Sequence, residues 1–284
     1  MQMKQMKMKS YFTGTILLFI IVSPSVAIVT PSPPPFFYVF GDSLFDVGNN
    51  NYLQYPAPKA NFPFNGIDYP GNISTGRFGN GYIGPDYVAM FMGYPQSPPP
   101  YLSIINEYQT SRGINFASGG SGILNSTALY NSGARKIIVL GTAKTGCIPF
   151  IRSLLFPISG GCSEDLNNLS IQFKNETRAL LQNLTPKLSG FRYVFIDTYE
   201  MDSLIRANAH QYGFTDLTNA CCGIGRFNGQ APCTPISNLC SNRDNHYSWD
   251  PVHPTQAVAR LVSNMSYYGL LHVFPMNIQQ LVNA

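Results

Sequence analysis

No apolar run in the chain is long enough to be a secure membrane span. The most apolar stretch, Tyr11 to Val22, falls short of the about 20 residues a helix needs to cross a bilayer. There is no internal repeat, no low-complexity tract, and no linker beyond the short Pro31–Pro35 lead-in, which leaves one domain as the economical reading. No CxxC pair is present, and no metal-ligand spacing links His210, His246, His253 or His272, so neither a metal nor another cofactor is implied. The first half of the chain outside its leader has no cysteine at all. Charge of one sign is also scarce. The net charge of +4 falls to +1 once Lys4, Lys7 and Lys9 are removed with the leader, which gives no electrostatic case for nucleic acid or an anionic membrane.

What is present begins with that leader. Three lysines precede the apolar run, and Ser25-Val26-Ala27 supplies the small residues a signal peptidase needs. Cleavage is expected after Ala27, leaving residues 28–284 as a secreted domain without a stable membrane anchor. Six cysteines, Cys147, Cys162, Cys221, Cys222, Cys233 and Cys240, then argue for three disulfides, with fifteen pairings open. Sequons at Asn72, Asn125, Asn168, Asn175, Asn183 and Asn264 fit a glycoprotein of the same compartment.

Phe36–Phe40, closed by Gly41, reads as a buried strand, as do Ile114–Ala117, Lys136–Leu140 and Tyr193–Ile196. Tyr82–Met92 carries apolar residues at helical spacing and stops at Gly93. From Ser163, a helix-capping residue type followed by Glu164 and Asp165, the residues Leu166, Leu169, Phe173, Leu180 and Leu184 predict a long helix. Pro254 opens a last one. Continuous apolar strands alternating with helices predict an α/β fold with a parallel sheet covered on both faces. Sites of such folds collect at the carboxyl ends of the strands.

Gly41-Asp42-Ser43 follows the first of these strands, where a serine can present its hydroxyl out of the sheet and its N–H toward a ligand. Alone, that tripeptide is as well explained by an ordinary capping serine. Asp250-Pro251-Val252-His253 adds an imidazole with a carboxylate three residues away, the pair a general base needs to hold one tautomer and stabilise its charged form. There is no Gly-x-Ser-x-Gly elbow, which disfavours the α/β-hydrolase fold.

Three blocks occur in order: the one around Ser43, Gly113-Ile114-Asn115-Phe116-Ala117-Ser118-Gly119-Gly120-Ser121-Gly122, and Asp250 to His253. Together with Gly133-Ala134-Arg135-Lys136, Gly146-Cys147-Ile148-Pro149, Gly160-Gly161-Cys162 and Cys221-Cys222-Gly223, they resemble the plant GDSL esterase/lipase family of SGNH hydrolases over nearly the whole mature chain. The resemblance implies a flavodoxin-like three-layer α/β/α sandwich and hydrolysis of carboxylic esters. It implies Ser43 as nucleophile, His253 as general base and Asp250 as its orienting acid. It also implies oxyanion donors at the N–H groups of Ser43 and Gly119, a small-molecule or lipid ester as partner, no nucleic acid, and action as a monomer.

The family's Gly-x-Asn-Asp block, whose asparagine is a third oxyanion donor, has no match between Gly122 and Gly133. Only Asn125 and Asn131 stand there, and neither follows a strand. The resemblance therefore also implies a sheet short of one inner strand and weakened catalysis. A non-catalytic glycoprotein binding acyl or carbohydrate ligands, or a truncated product that folds poorly, is the alternative. The substrate class is open. Tyr55, Phe62, Phe64 and Tyr69 suit loop packing better than an acyl groove, and Arg77 and Phe78 have no assigned role.

Overall fold

In a computed structural model, the structure describes residues 35–110, 112–121 and 126–284. The leader with its cleavage site and the Asn125 sequon lie outside these residues.

The largest sheet among the described residues is β1 (Lys136–Leu140), β2 (Arg192–Ile196) and β7 (Val273–Phe274), in that order across the sheet. β1 and β2 run parallel with Leu140 opposite Ile196, and β7 runs antiparallel to β2. The sheet is therefore mixed rather than parallel throughout. Its side chains alternate between two cores with the strand period of two. Ile138, Leu140, Val194, Ile196 and Val273 meet α1 (Gly84–Phe91), α6 (Gln256–Tyr268) and α7 (Ile278–Asn283) on one face. Ile137, Val139, Tyr193 and Phe195 meet α4 (Glu164–Leu184) through Leu181 and Leu184, and α2 (Ser126–Asn131) through Tyr130, on the other. The result is a three-layer α/β/α arrangement.

The helices begin where the caps specify. The Ser163 side chain accepts from Leu166 N–H at the start of α4, and Thr255 accepts from Val258 N–H at the start of α6. The buried face of α4 is not the leucine stripe, however. Leu169 and Leu180 are about half exposed, while Asn167, Ser170 and Leu181 are buried. Asn167 Oδ1 accepts from Gly146 N–H, and Ser170 meets Thr145, so this helix docks partly through polar contacts that periodicity does not report. α6 is not the last helix either, since β7 and α7 follow it.

Two predicted strands shrink to single bridges. Val39 pairs with Asn115, and Asn115 with Pro100, in place of ladders over 36–40 and 114–117. Among the described residues no ladder joins this group to β1. β1 is partly buried from Ile137 to Leu140, whereas β2 is fully buried from Tyr193 to Ile196. Among the described residues, the β1 edge away from β2 has no strand partner.

The remaining elements surround the disulfides. α3 (Pro149–Leu155) lies inside the Cys147–Cys162 loop. α5 (Thr198–Ala207) follows β2, and β3 (Asp216–Ala220) pairs at its two ends with β6 (His246–Ser248). β4 (Cys222–Gly223) pairs with β5 (Asn238–Leu239). Cys221–Cys240 and Cys222–Cys233 complete the three bonds, packed on fully buried Trp249. Asn72, Asn168, Asn175, Asn183 and Asn264 are all exposed.

Candidate active site

The serine turn is built by local hydrogen bonding. After the Val39 bridge, Gly41 takes φ +155°, and a Cβ there would sit 2.8 Å from Phe45 Cδ2, so the turn needs glycine. Asp42 closes the turn: its carbonyl accepts from Phe45 and Asp46 N–H, and its carboxylate from Leu44 N–H. Ser43 stands half-buried at the bend. Among the described residues its own N–H has no acceptor, which leaves it available to a ligand.

Asp46 holds this turn to the glycine-rich block. Its fully buried carboxylate accepts from the N–H groups of Gly48 (2.8 Å), Asn49 (2.7 Å), Asn50 (3.3 Å) and Gly119 (3.0 Å). Asn49 Nδ2 donates to the carbonyls of Asn115 and Ala117, Asn50 Nδ2 to those of Pro58 and Gly119, and Asn115 Nδ2 to that of Phe45. None of these four side chains was picked out from sequence. The available signal was an aspartate three residues after Ser43 and the paired Asn49-Asn50 beyond it. One expectation is corrected here. The Gly119 N–H points at the Asp46 carboxylate and so is engaged within the protein instead of being free for an oxyanion.

The histidine arrives on the loop between β6 and α6. Asp250 Oδ1 accepts from Val252 and His253 N–H, both at 2.8 Å, folding the loop back on its own carboxylate. His253 Nδ1 lies 2.9 and 2.8 Å from the two Asp250 oxygens, and its Nε2 lies 2.8 Å from Ser43 Oγ. A carboxylate only accepts, so Nδ1 carries the proton, and Nε2 is left to accept from the serine hydroxyl. Both residues are 8% exposed. Burial pulls the His253 pKa down, yet the charge and hydrogen bond of Asp250 outweigh it and hold it above the ordinary value. Burial likewise pushes Asp250 up, but His253 and the two N–H donors leave it below the usual carboxylate range.

Polar links spanning most of the sequence bring the two halves together. Arg243 donates twice to the Asp68 carboxylate, at 2.5 and 2.8 Å. Gln256 N–H donates to Asn80 Oδ1, Tyr82 N–H to Gln256 Oε1, and Trp249 Nε1–H to Asn65 Oδ1. Arg77 is buried and forms a two-pronged ion pair with Asp86 at 2.8 Å for each bond. Next to it, the buried Phe78 ring lies 5.3 Å from the His253 ring. Of the four aromatics weighed for a groove, Phe64 packs on the disulfide cluster, Tyr69 faces Arg77, and Tyr55 is 95% exposed. Asn131 is exposed on α2, which packs through Tyr130 on Phe191.

The arrangement is a serine hydroxyl bonded to an imidazole that is bonded to a carboxylate, the constellation of serine acyl transfer. The GDSL-like Lipase/Acylhydrolase family model matches residues 125–265, which include Asp250 and His253. The chain is 31% identical to GDSL esterase/lipase At5g55050 of Arabidopsis thaliana, over 88% of this chain and 90% of the relative. It is 30% identical to GDSL esterase/lipase At1g71691 of the same plant, over 88% and 86%. These alignments run over 341 and 335 positions, more than the 284 residues of the whole chain, so long gaps interrupt this chain in both. On the fold and these matches, the chain belongs to the GDSL esterase/lipase family of carboxylic ester hydrolases.

Proposed function

We propose that this chain is a secreted serine hydrolase of acyl esters in which Ser43 is the nucleophile, His253 the general base and Asp250 its orienting acid. The observation that carries the reading is the unbroken path from Asp250 through both His253 nitrogens to Ser43 Oγ. Ser43 Oγ bonds to the acyl carbon as His253 Nε2 takes the hydroxyl proton. The tetrahedral oxyanion collapses, the bond to the leaving oxygen breaks, and His253 gives that oxygen the proton. Water, deprotonated by His253, then attacks the acyl-serine, and the proton returns to Ser43 as the acid leaves.

Oxyanion stabilisation is the weak part of this machine. The Ser43 N–H is the one expected donor left free, because the Gly119 N–H is held by Asp46 and the family's asparagine block has no match. Each missing donor costs about 10²–10³ in kcat, so a low turnover number is expected. Three disulfides, the Ser25-Val26-Ala27 cleavage signal and the exposed sequons support secretion of residues 28–284 as one glycosylated domain.

The deciding experiment is fluorophosphonate labelling of the secreted protein beside Ser43→Ala and heat-denatured controls. Labelling lost in both controls is the expected result. Folded, monodisperse protein that takes no label would defeat the catalytic reading in favour of a ligand-binding glycoprotein.

A further inference from the structure

We propose that Phe78 is the positioning residue of this site: its ring sets the face of the His253 imidazole and spaces it from the Gly119 turn. The inference rests on the catalytic reading of Ser43, His253 and Asp250.

Phe78 touches both sides of the site at once. Its ring packs on the imidazole at a centroid distance of 5.3 Å and a tilt of 36°. Its far edge covers Gly119, where a Cβ would come within 2.8 Å of Cζ and 2.9 Å of Cε2. That contact is a second reason for glycine at 119. It also makes the ring a spacer between the general base and the turn beside Ser43.

The imidazole needs such a spacer. Its hydrogen bonds, to the two Asp250 oxygens and to Ser43, are all made at the ring nitrogens. They hold the edge of the ring and touch neither of its faces. A side chain packed on the ring face restrains it there and keeps water off both nitrogens. An aromatic face also favours the imidazolium formed as Ser43 attacks.

The backbone carrying Phe78 is itself held on both sides. Arg77 is locked by Asp86 and donates to the Val47 carbonyl behind the serine turn. Asn80 accepts from Gln256 at the start of the helix that follows His253. The segment thus reads the position of both halves and transmits it through one ring.

The test compares wild type, Phe78→Ala, Phe78→Leu and Ser43→Ala on a short-chain p-nitrophenyl ester, with fluorophosphonate labelling rates in parallel. Phe78→Ala is expected to lower kcat and the labelling rate about 10²-fold while KM moves less than about threefold, and Phe78→Leu to recover about tenfold of the loss. The low-field proton resonance of His253 Nδ1–H supplies a readout that mere destabilisation does not move. It is expected to broaden by solvent exchange in Phe78→Ala at temperatures where the fold is intact. Folded Phe78→Ala with kcat within about twofold of wild type and a sharp Nδ1 proton would overturn the proposal. If the alanine variant fails to fold, Phe78→Leu decides on the same readouts, with wild-type values refuting. A Ser43→Ala variant as active as wild type would instead refute the catalytic reading and take this proposal with it.

Discussion

Removing the Asp46 carboxylate should cost this protein much of its stability, although the residue touches neither Ser43 nor His253. The carboxylate is wholly buried and is the acceptor for four backbone N–H groups, three of them at 3.0 Å or less. Asp46→Ala leaves those donors without a partner. A buried orphan donor costs about 1–3 kcal/mol, so the three short bonds alone put the loss at about 3–9 kcal/mol. That is comparable with the whole stability of a domain, about 5–15 kcal/mol. Asp46→Asn should be gentler. Its amide oxygen keeps the bonds from Gly48 and Asn49, while its NH₂ group meets the donors of Asn50 and Gly119, a loss of about 1–3 kcal/mol confined to the link between the two turns. Urea unfolding followed by the emission of Trp249, the single tryptophan and fully buried beside Asp250, measures both. An Asp46→Ala variant that unfolds within about 1 kcal/mol of wild type would refute the reasoning, because an unpaired donor would then cost almost nothing there.

Further outcomes follow from the same geometry. His253 must be neutral to accept the Ser43 proton, and its pKa is held above the ordinary value of about 6.5, so the acid limb of kcat/KM should lie above that pH. With Asp250 held low and His253 held high, the pair stabilises the fold fully between pH about 4 and about 6.5; the contribution is lost as pH rises through the folded His253 value and as it falls through that of Asp250. Asp250→Asn removes the upward pull and leaves burial, so the limb should move to lower pH while kcat falls by about 10⁴; a limb that stays in place would contradict the assignment. Reduction of Cys221–Cys240 and Cys222–Cys233 should lower ester hydrolysis, since Cys221 and Cys222 N–H groups hold the Ser248 and Trp249 carbonyls just ahead of Asp250; unchanged rates in reduced protein would remove that link. In hydrogen exchange, the outward N–H groups of Lys136, Ile138 and Leu140 on the open β1 edge should exchange fast while Val194 and Ile196 are protected, and equal protection would mean that the edge is covered.

What the sequence made legible was local. β1, β2 and the cap at Ser163 follow from patterns a few residues long, and the structure has them where those patterns fall. Asp250 and His253 were readable for a related reason, because both come from one short segment and their chemistry requires the spacing. Strands at Val39 and Asn115 were overread. An apolar run states a capacity to pair, and among the described residues these runs find only single bridges. The buried face of α4 was misjudged because Asn167 and Ser170 find specific polar partners, which no periodicity announces. β3, β6 and β7 depend on pairing across the fold, and β7 is two residues long. The network of Asp46, Asn49, Asn50 and Asn115 escaped notice because polar residues in a loop read as solvated until their donors are counted.

The distribution of contacts bears on whether a chain whose β1 has one edge unpaired among the described residues can hold a catalytic site. Ser43 is fixed by Asp42 and Asp46, and Asp46 by nothing beyond the two turns it joins. His253 is fixed by its own loop, by Trp249 on Asn65, and by Gln256 on Asn80 and Tyr82. Arg243 on Asp68 and the packing of α1 on α6 close the two halves. None of these contacts passes through β1, so an unpaired β1 edge lowers stability without pulling Ser43 from His253. On the proposed mechanism, the expected loss in turnover has a separate origin. A general base at 2.8 Å would deliver the nucleophile, but the charge it creates must then be held, and one backbone N–H is left for that where three donors are expected from the family pattern. Two absent donors at about 3–4 kcal/mol each would take about 6–8 kcal/mol from a typical enzyme's acceleration of about 8–23 kcal/mol. Labelling by a fluorophosphonate needs the nucleophile and base, whereas turnover of an ester needs the oxyanion hole as well. Ready labelling with slow turnover is therefore the signature this geometry requires.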